Sequence, residues 1–252
     1  MLGERPIALE KEALRRRIYA PQAYAPVRDL AVVPIVHSEC MSLASWFPVV
    51  WRRRKSGVEL VTVRALLDDQ GAQPPAARPL LPLRLRAYPF VFNPARPIDT
   101  TSPRMLDAVF ADTPTDVGAT ITTTTQKTGR ATAMRLAILD RIAGETALTD
   151  EIGSALATRG LLEPWPLTFD IAGQSIGIPD LLVVRAPAFS DGALAPIVSQ
   201  LGVPCVSLLG LHRISLFRAG LLLVAAKAHL KATRANAEQR LPAPGTLEVA
   251  LS

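Results

Sequence analysis

His37-Ser38-Glu39 sets an imidazole and a carboxylate two residues apart, and Pro204-Cys205 follows far downstream. That order matches the start of an H-x-E…P-C-x-x-C zinc pattern, in which a histidine and two cysteines hold the metal and the glutamate moves protons. The match stops at position 208, where Leu208 stands in place of the second cysteine, so an open three-ligand site lacks a ligand. The plainer account makes His37 a half-buried histidine and Glu39 an acid at a helix N-terminus. Cys40 or Cys205 with His212 would supply a nucleophile and a base, but no spacing joins them, and both thiols sit among apolar residues as small buried hydrophobes. There is no nucleophile elbow and no dinucleotide fingerprint, and Lys127-Thr128-Gly129 is not part of a phosphate loop. Two aromatic-proline pairs, Phe47-Pro48 and Tyr88-Pro89, fit buried strands or the wall of a recognition groove.

The elements that would position these residues are short. Residues 33–51 read as strand, helix, strand: apolar ends each carrying a proline, with one helical stretch from Ser38 to Trp46 between them. Residues 48–52 and 58–64 form a hairpin across Gly57, its tip carrying Arg52, Arg53, Arg54 and Lys55; mutual repulsion there suits solubility and protection of a sheet edge. Residues 7–19 read as a short helix, residues 80–92 as an edge or broken strand because of Pro89, and residues 104–110 as a helical turn or two within an irregular connection. Met134, Ile138, Leu139 and Ile142 mark a helix over 131–143 that Gly144 ends, and Thr149 caps a second one. The alternation over 167–171, with a turn at 172–174, predicts a second hairpin, and 181–184 a further strand. A helix is expected up to Leu201, a strand or turn near 203–208, helix again from Leu211, and a frayed tail over 232–252.

Among 252 residues, 49% are hydrophobic, enough for a buried core, and 22 prolines argue against long unbroken helices. The net charge of +6 and a pI near 9.8 suit an anionic partner, although an Arg- and Ala-rich codon usage accounts for the same balance. The charged amino terminus does not read as a signal peptide, and the apolar run 219–226 is too short to span a bilayer. A cytoplasmic location is expected. Helix, turn, helix and hairpin over 131–179 follow the order of a winged helix. However, Asp150 and Glu151 open the second helix, so nucleic-acid binding ranks below the other readings.

Tyr24-Ala25 with Arg28-Asp29, Val33-Pro34-Ile35-Val36, Glu39 and Phe47-Pro48-Val49-Val50 resemble the opening block of the bacterial SapC-like proteins, a family named for surface-layer gene loci. Arg86-Ala87-Tyr88-Pro89-Phe90 resembles its second block and Leu161-Leu162-Glu163-Pro164-Trp165 its third, with further likeness over 177–201 and 206–217. The family's Asn-Leu-Phe stretch and the Trp before its Tyr-Pro block are absent from 68–83, which marks a divergent member. The resemblance brings no catalytic residues. It implies an accessory role in handling peptides or surface molecules.

The expected fold is α+β: a mixed or antiparallel sheet from residues 32–36, 48–64, 83–92 and 165–184, with helices around 131–160 and 190–230 packed on one side. One domain is expected over 1–231. The expected function is a non-catalytic accessory or binding protein acting on a peptide or an envelope-associated partner, with no cofactor and no bound metal. Its candidate ligand-binding residues are His37, Glu39, Trp46, Tyr88, Trp165 and His212. The rival is a metal-dependent enzyme of the oxygenase or transferase kind that gathers His37, Glu39 and His212 in one pocket.

Overall fold

Val49-Val50-Trp51 is a fully buried run, with all three side chains covered. β-Branched and aromatic residues favour a central strand, and the fold is built around this one. The computed structural model describes residues 2–240 apart from 115, 124, 126 and 172. In chain order its elements are β1 (Pro6–Ala8), α1 (Lys11–Leu14), β2 (Arg17–Ile18), α2 (Ala25–Asp29), β3 (Val32–Pro34), α3 (Cys40–Leu43), β4 (Val49–Arg54), β5 (Gly57–Val63), α4 (Leu83–Ala87), β6 (Phe90–Val91), β7 (Met105–Asp107), β8 (Ala119–Thr120), α5 (Arg130–Thr158), β9 (Leu162–Pro164), β10 (Thr168–Ile171), β11 (Gln174–Gly177), β12 (Leu181–Val184), α6 (Ala195–Ser215) and α7 (Ala219–Arg240).

The principal sheet is antiparallel, in the order β3-β5-β4-β12-β9. The class is therefore α+β. The expected unit over 33–51 is present as β3, a 3₁₀ turn at His37–Glu39 running into α3, and β4. The hairpin β4–β5 pairs Trp51 with Leu60 and Arg52 with Glu59, and turns at Gly57, whose φ of +127° suits glycine. Its basic tip protects no sheet edge, because β4 lies inside the sheet between β5 and β12. Both helices flanking the sheet reach Trp51. A Cβ on Gly153 of α5 would lie 3.2 Å from its indole nitrogen, and the His212 ring of α6 stands edge-on at 4.9 Å. This places α5 and α6 on the same face.

Several elements differ from the expectation. Residues 83–92 do not join the main sheet: Pro82 precedes the helix α4, and β6 pairs with β7 in a separate sheet with β1. Residues 7–19 hold strand, helical turn and strand rather than one helix, and part of 104–110 is β7. Residues 168–177 form the expected hairpin, but as its own two-stranded sheet. The largest difference is α5, 29 residues without a break. A buried stripe continues across it through Leu139, Ile142, Ala143, Thr146, Thr149, Ile152 and Leu156, and this packing outweighs the roughly 1 kcal/mol cost of Gly144 in a helix. Thr149 is therefore an interior residue, not a cap, and no turn remains for a winged helix. Residues 203–208 are helical as well, with a break at Gly202 (φ 65°, ψ −153°). The last helix runs through 232–240, and 241–252 lie outside the described residues. By length and composition the stretch Ala195–Ala237 is long and apolar enough to cross a membrane, with 33% of its apolar window buried in the protein.

Candidate functional site

A cleft of about 910 Å³ opens between the outer rim of β4–β5, the start of α4, the loop after β6 and the middle of α5. One wall is apolar, with Val32, Pro34, Ile35, Leu60, Phe90 and Phe92. Edge strand β3 belongs to this wall. Ala31 and Ile35 turn their backbone bonds towards β5, which leaves Val32 and Pro34 facing outward. Charged side chains share the lining. Arg52, Arg54, Arg84 and Arg96 belong to it, with Glu59, Asp68 and Asp150.

These charges are unequally satisfied. Glu59 binds both Arg52, at 3.0 Å, and Arg54, at 2.5 Å, across the hairpin. Asp68 accepts the Ala31 amide at 2.8 Å. Arg84 forms no such pair among the described residues, and its Nε is buried without a hydrogen-bond partner. Burial pulls its guanidinium below the usual arginine range, while Glu59, Glu39 and Asp150 act on it through space in the opposite sense. Partial burial, followed by the charge on Glu59, raises the Asp150 carboxyl, against the pull of Arg84. An anion entering the cleft would meet a partly buried cation that lacks a fixed partner, a condition that favours a charge-assisted hydrogen bond.

None of the six residues singled out from the sequence lines this cleft. Two of them hold its walls. Glu39 is a buried carboxylate whose Oε2 accepts the Val36 amide at 3.0 Å and whose Oε1 accepts the Leu83 amide at 2.6 Å. It thereby caps the first turn of α4, which carries Arg84. Burial raises its pKa in spite of both hydrogen bonds. His37 donates its backbone amide to the Thr149 hydroxyl at 3.1 Å, and its Nδ1 lies 3.0 Å from the same oxygen. Thr149 itself lines the cleft.

The other four lie elsewhere. Tyr88 is buried edge-on to Tyr24, ring centroids 5.0 Å apart, and donates to Asp107 at 3.1 Å; burial, then Asp107, raises its phenol. Asp107 also accepts the Gly3 amide, which fastens the amino-terminal segment. Trp165 is half-buried against the main core, and Trp46 is 38% exposed. His212 is fully buried between two strands. Its Nδ1 donates to the Val49 carbonyl at 2.7 Å and its Nε2 accepts the Val184 amide at 3.2 Å. The register of β12 on β4 would bring Val184 opposite Val49, so the imidazole bridges a pair that the strands themselves leave open. Ser215 accepts the Val49 amide at 2.9 Å. With both ring nitrogens engaged, His212 has none left for a metal. Among the described residues no group of three His, Cys, Asp or Glu side chains is arranged to hold one.

Arg84, Asp150 and the Glu59 fork were missed from the sequence. The Arg52–Glu59 pairing follows from the hairpin register and was legible there. The isolation of Arg84 was not, since Leu83-Arg84-Leu85-Arg86 reads equally as an alternating strand. Compared with known proteins, the chain matches the SapC family over residues 14–193. No curated protein and no solved structure matches it.

Proposed function

The chain belongs to the SapC family, and from that premise we propose that it is a non-catalytic accessory protein that binds a peptide, seating a peptide carboxylate against Arg84. The observation that carries this reading is the buried, unpartnered Arg84 Nε at the wall of a cleft of about 910 Å³. The apolar wall along edge strand β3 suits extended backbone with alternate side chains, and arginine suits a carboxylate better than any other residue does. The test uses short acetylated peptides ending in a free carboxylate, the same peptides amidated, and calorimetric titration into the full chain. Binding of the acid series, its loss on amidation and its loss in Arg84→Met are expected. Equal binding of acid and amide, or full binding by Arg84→Met, would refute the role of Arg84. Turnover of a peptide that depended on His37 or Glu39 would refute the non-catalytic reading.

A further inference from the structure

α6 and α7 carry an apolar stripe that the core does not cover. Val203, Val206, Ile214, Phe217, Leu221 and Val224 are 38% to 81% exposed. With the open Gly210 between them, they follow one another in steps of three and four residues, the repeat of a single helix face. The charges along these helices have one sign. From Gly192 to Ala237 there is no aspartate or glutamate, while Arg213, Arg218, Lys227, Lys231 and Arg234 are all present. Arg213, Lys227 and Lys231 are exposed, and their spacing sets them along one flank of the stripe. Arg213 also lies over the ring of Phe189, 5.9 Å from its centroid, which adds a partly exposed aromatic to the same surface. The stripe lies beyond the residues that match the family.

We propose that this face docks the protein on an anionic lipid surface, the apolar stripe entering the boundary between headgroups and acyl chains and the cations meeting lipid phosphates. An apolar face beside a flank whose helix-borne charges are all basic, with Asp170 the acid that lines a pocket beside Lys227 and Lys231, is complementary to such a surface. A second copy of the chain would bring like charges together along the stripe, with no carboxylate between Gly192 and Ala237 to pair them. Spanning the bilayer would pull Leu208, Leu209, Leu222 and Ala226 out of the main core and His212 out of the sheet, so the helices lie on the membrane rather than across it. The inference does not depend on the cleft.

The experiment is co-sedimentation of the full chain with vesicles of phosphatidylcholine alone, or with phosphatidylglycerol as about a third of the lipid. Retention is expected on the anionic vesicles only, with release as salt is raised. The double variant Lys227→Gln/Lys231→Gln should weaken binding by about 25-fold, about fivefold for each charge, and Phe217→Ser/Val224→Ser should abolish it. Because all four side chains are exposed or half-exposed, both variants should keep the parent's circular dichroism and Tm. No retention, or equal retention on neutral vesicles, would overturn the proposal. So would self-association that Phe217→Ser abolishes while vesicles stay unbound, which assigns the stripe to a second copy. Retention that resists both salt and alkaline carbonate would show a span instead.

Discussion

Acid should weaken the sheet through His212, and the size of the effect follows from its setting. Burial lowers the imidazole from 6.5 to about 4, against the hydrogen bond to Val49 and with a smaller contribution from Arg213. The folded protein holds the ring neutral, with Nδ1 donating and Nε2 accepting; a second proton would abolish the acceptor that serves Val184. The unfolded chain therefore takes up that proton first. This contribution to stability is fully present above the unfolded value of 6.5 and is lost as pH falls towards about 4. The gap amounts to roughly 3 kcal/mol in the acid limit and about 2 kcal/mol between about pH 7 and about pH 4.5. The assay is urea unfolding followed by tryptophan fluorescence, for which Trp51 is well placed beside the ring, on the parent and on His212→Gln. The variant should be less stable by about 2–4 kcal/mol near neutrality, because two buried backbone groups lose their partners. That deficit should shrink by about 2 kcal/mol near pH 4.5, since glutamine does not titrate. Carboxylates common to both proteins cancel in the comparison. A deficit that stays the same at both pH values would refute the reasoning, because it would show that the proton has no preference between the folded and unfolded ring.

Arg84→Met should leave stability unchanged or raise it by up to about 1 kcal/mol, since it removes a partly buried cation without a partner; a loss of more than that in urea unfolding would mean that Arg84 is paired within the fold. Glu39→Ala strands the Val36 and Leu83 amides and should cost about 2–4 kcal/mol, with peptide binding falling as α4 loses its cap. A calorimetric Tm equal to the parent's would contradict the capping role. Gly71→Ala sets a Cβ 2.3 Å from His229 Nδ1 and should displace that ring from Asp69, which it meets at 3.2 Å. The expected cost is about 1 kcal/mol, with faster hydrogen exchange confined to α7, and unaltered exchange there would count against it.

The comparison of sequence with structure divides along the range of the forces involved. Alternating β-branched residues bounded by turn chemistry were legible at once, so the β4–β5 and β10–β11 hairpins and the unit from β3 to β4 are where local reading puts them. Short blocks in a fixed order were enough to place the chain in its family. Local signals failed where a distant partner outweighed them. Gly144 reads as a helix end until the buried stripe on either side of it is seen, and Leu83-Arg84-Leu85-Arg86 reads as a strand until Glu39, more than forty residues earlier, caps it as a helix. Histidine, glutamate and tyrosine were chosen from the sequence as chemistry-bearing types, yet His212, Glu39 and Tyr88 each close hydrogen bonds that the backbone or a buried carboxylate requires. Composition and periodicity thus determined the class and the hairpins, and the resemblance of the ordered blocks gave the family. Which polar groups are spent on the fold and which, Arg84 among them, keep an unpaired buried atom was decided only by tertiary packing, because a side chain's desolvation and its hydrogen-bond partners are properties of its neighbours in space rather than in sequence.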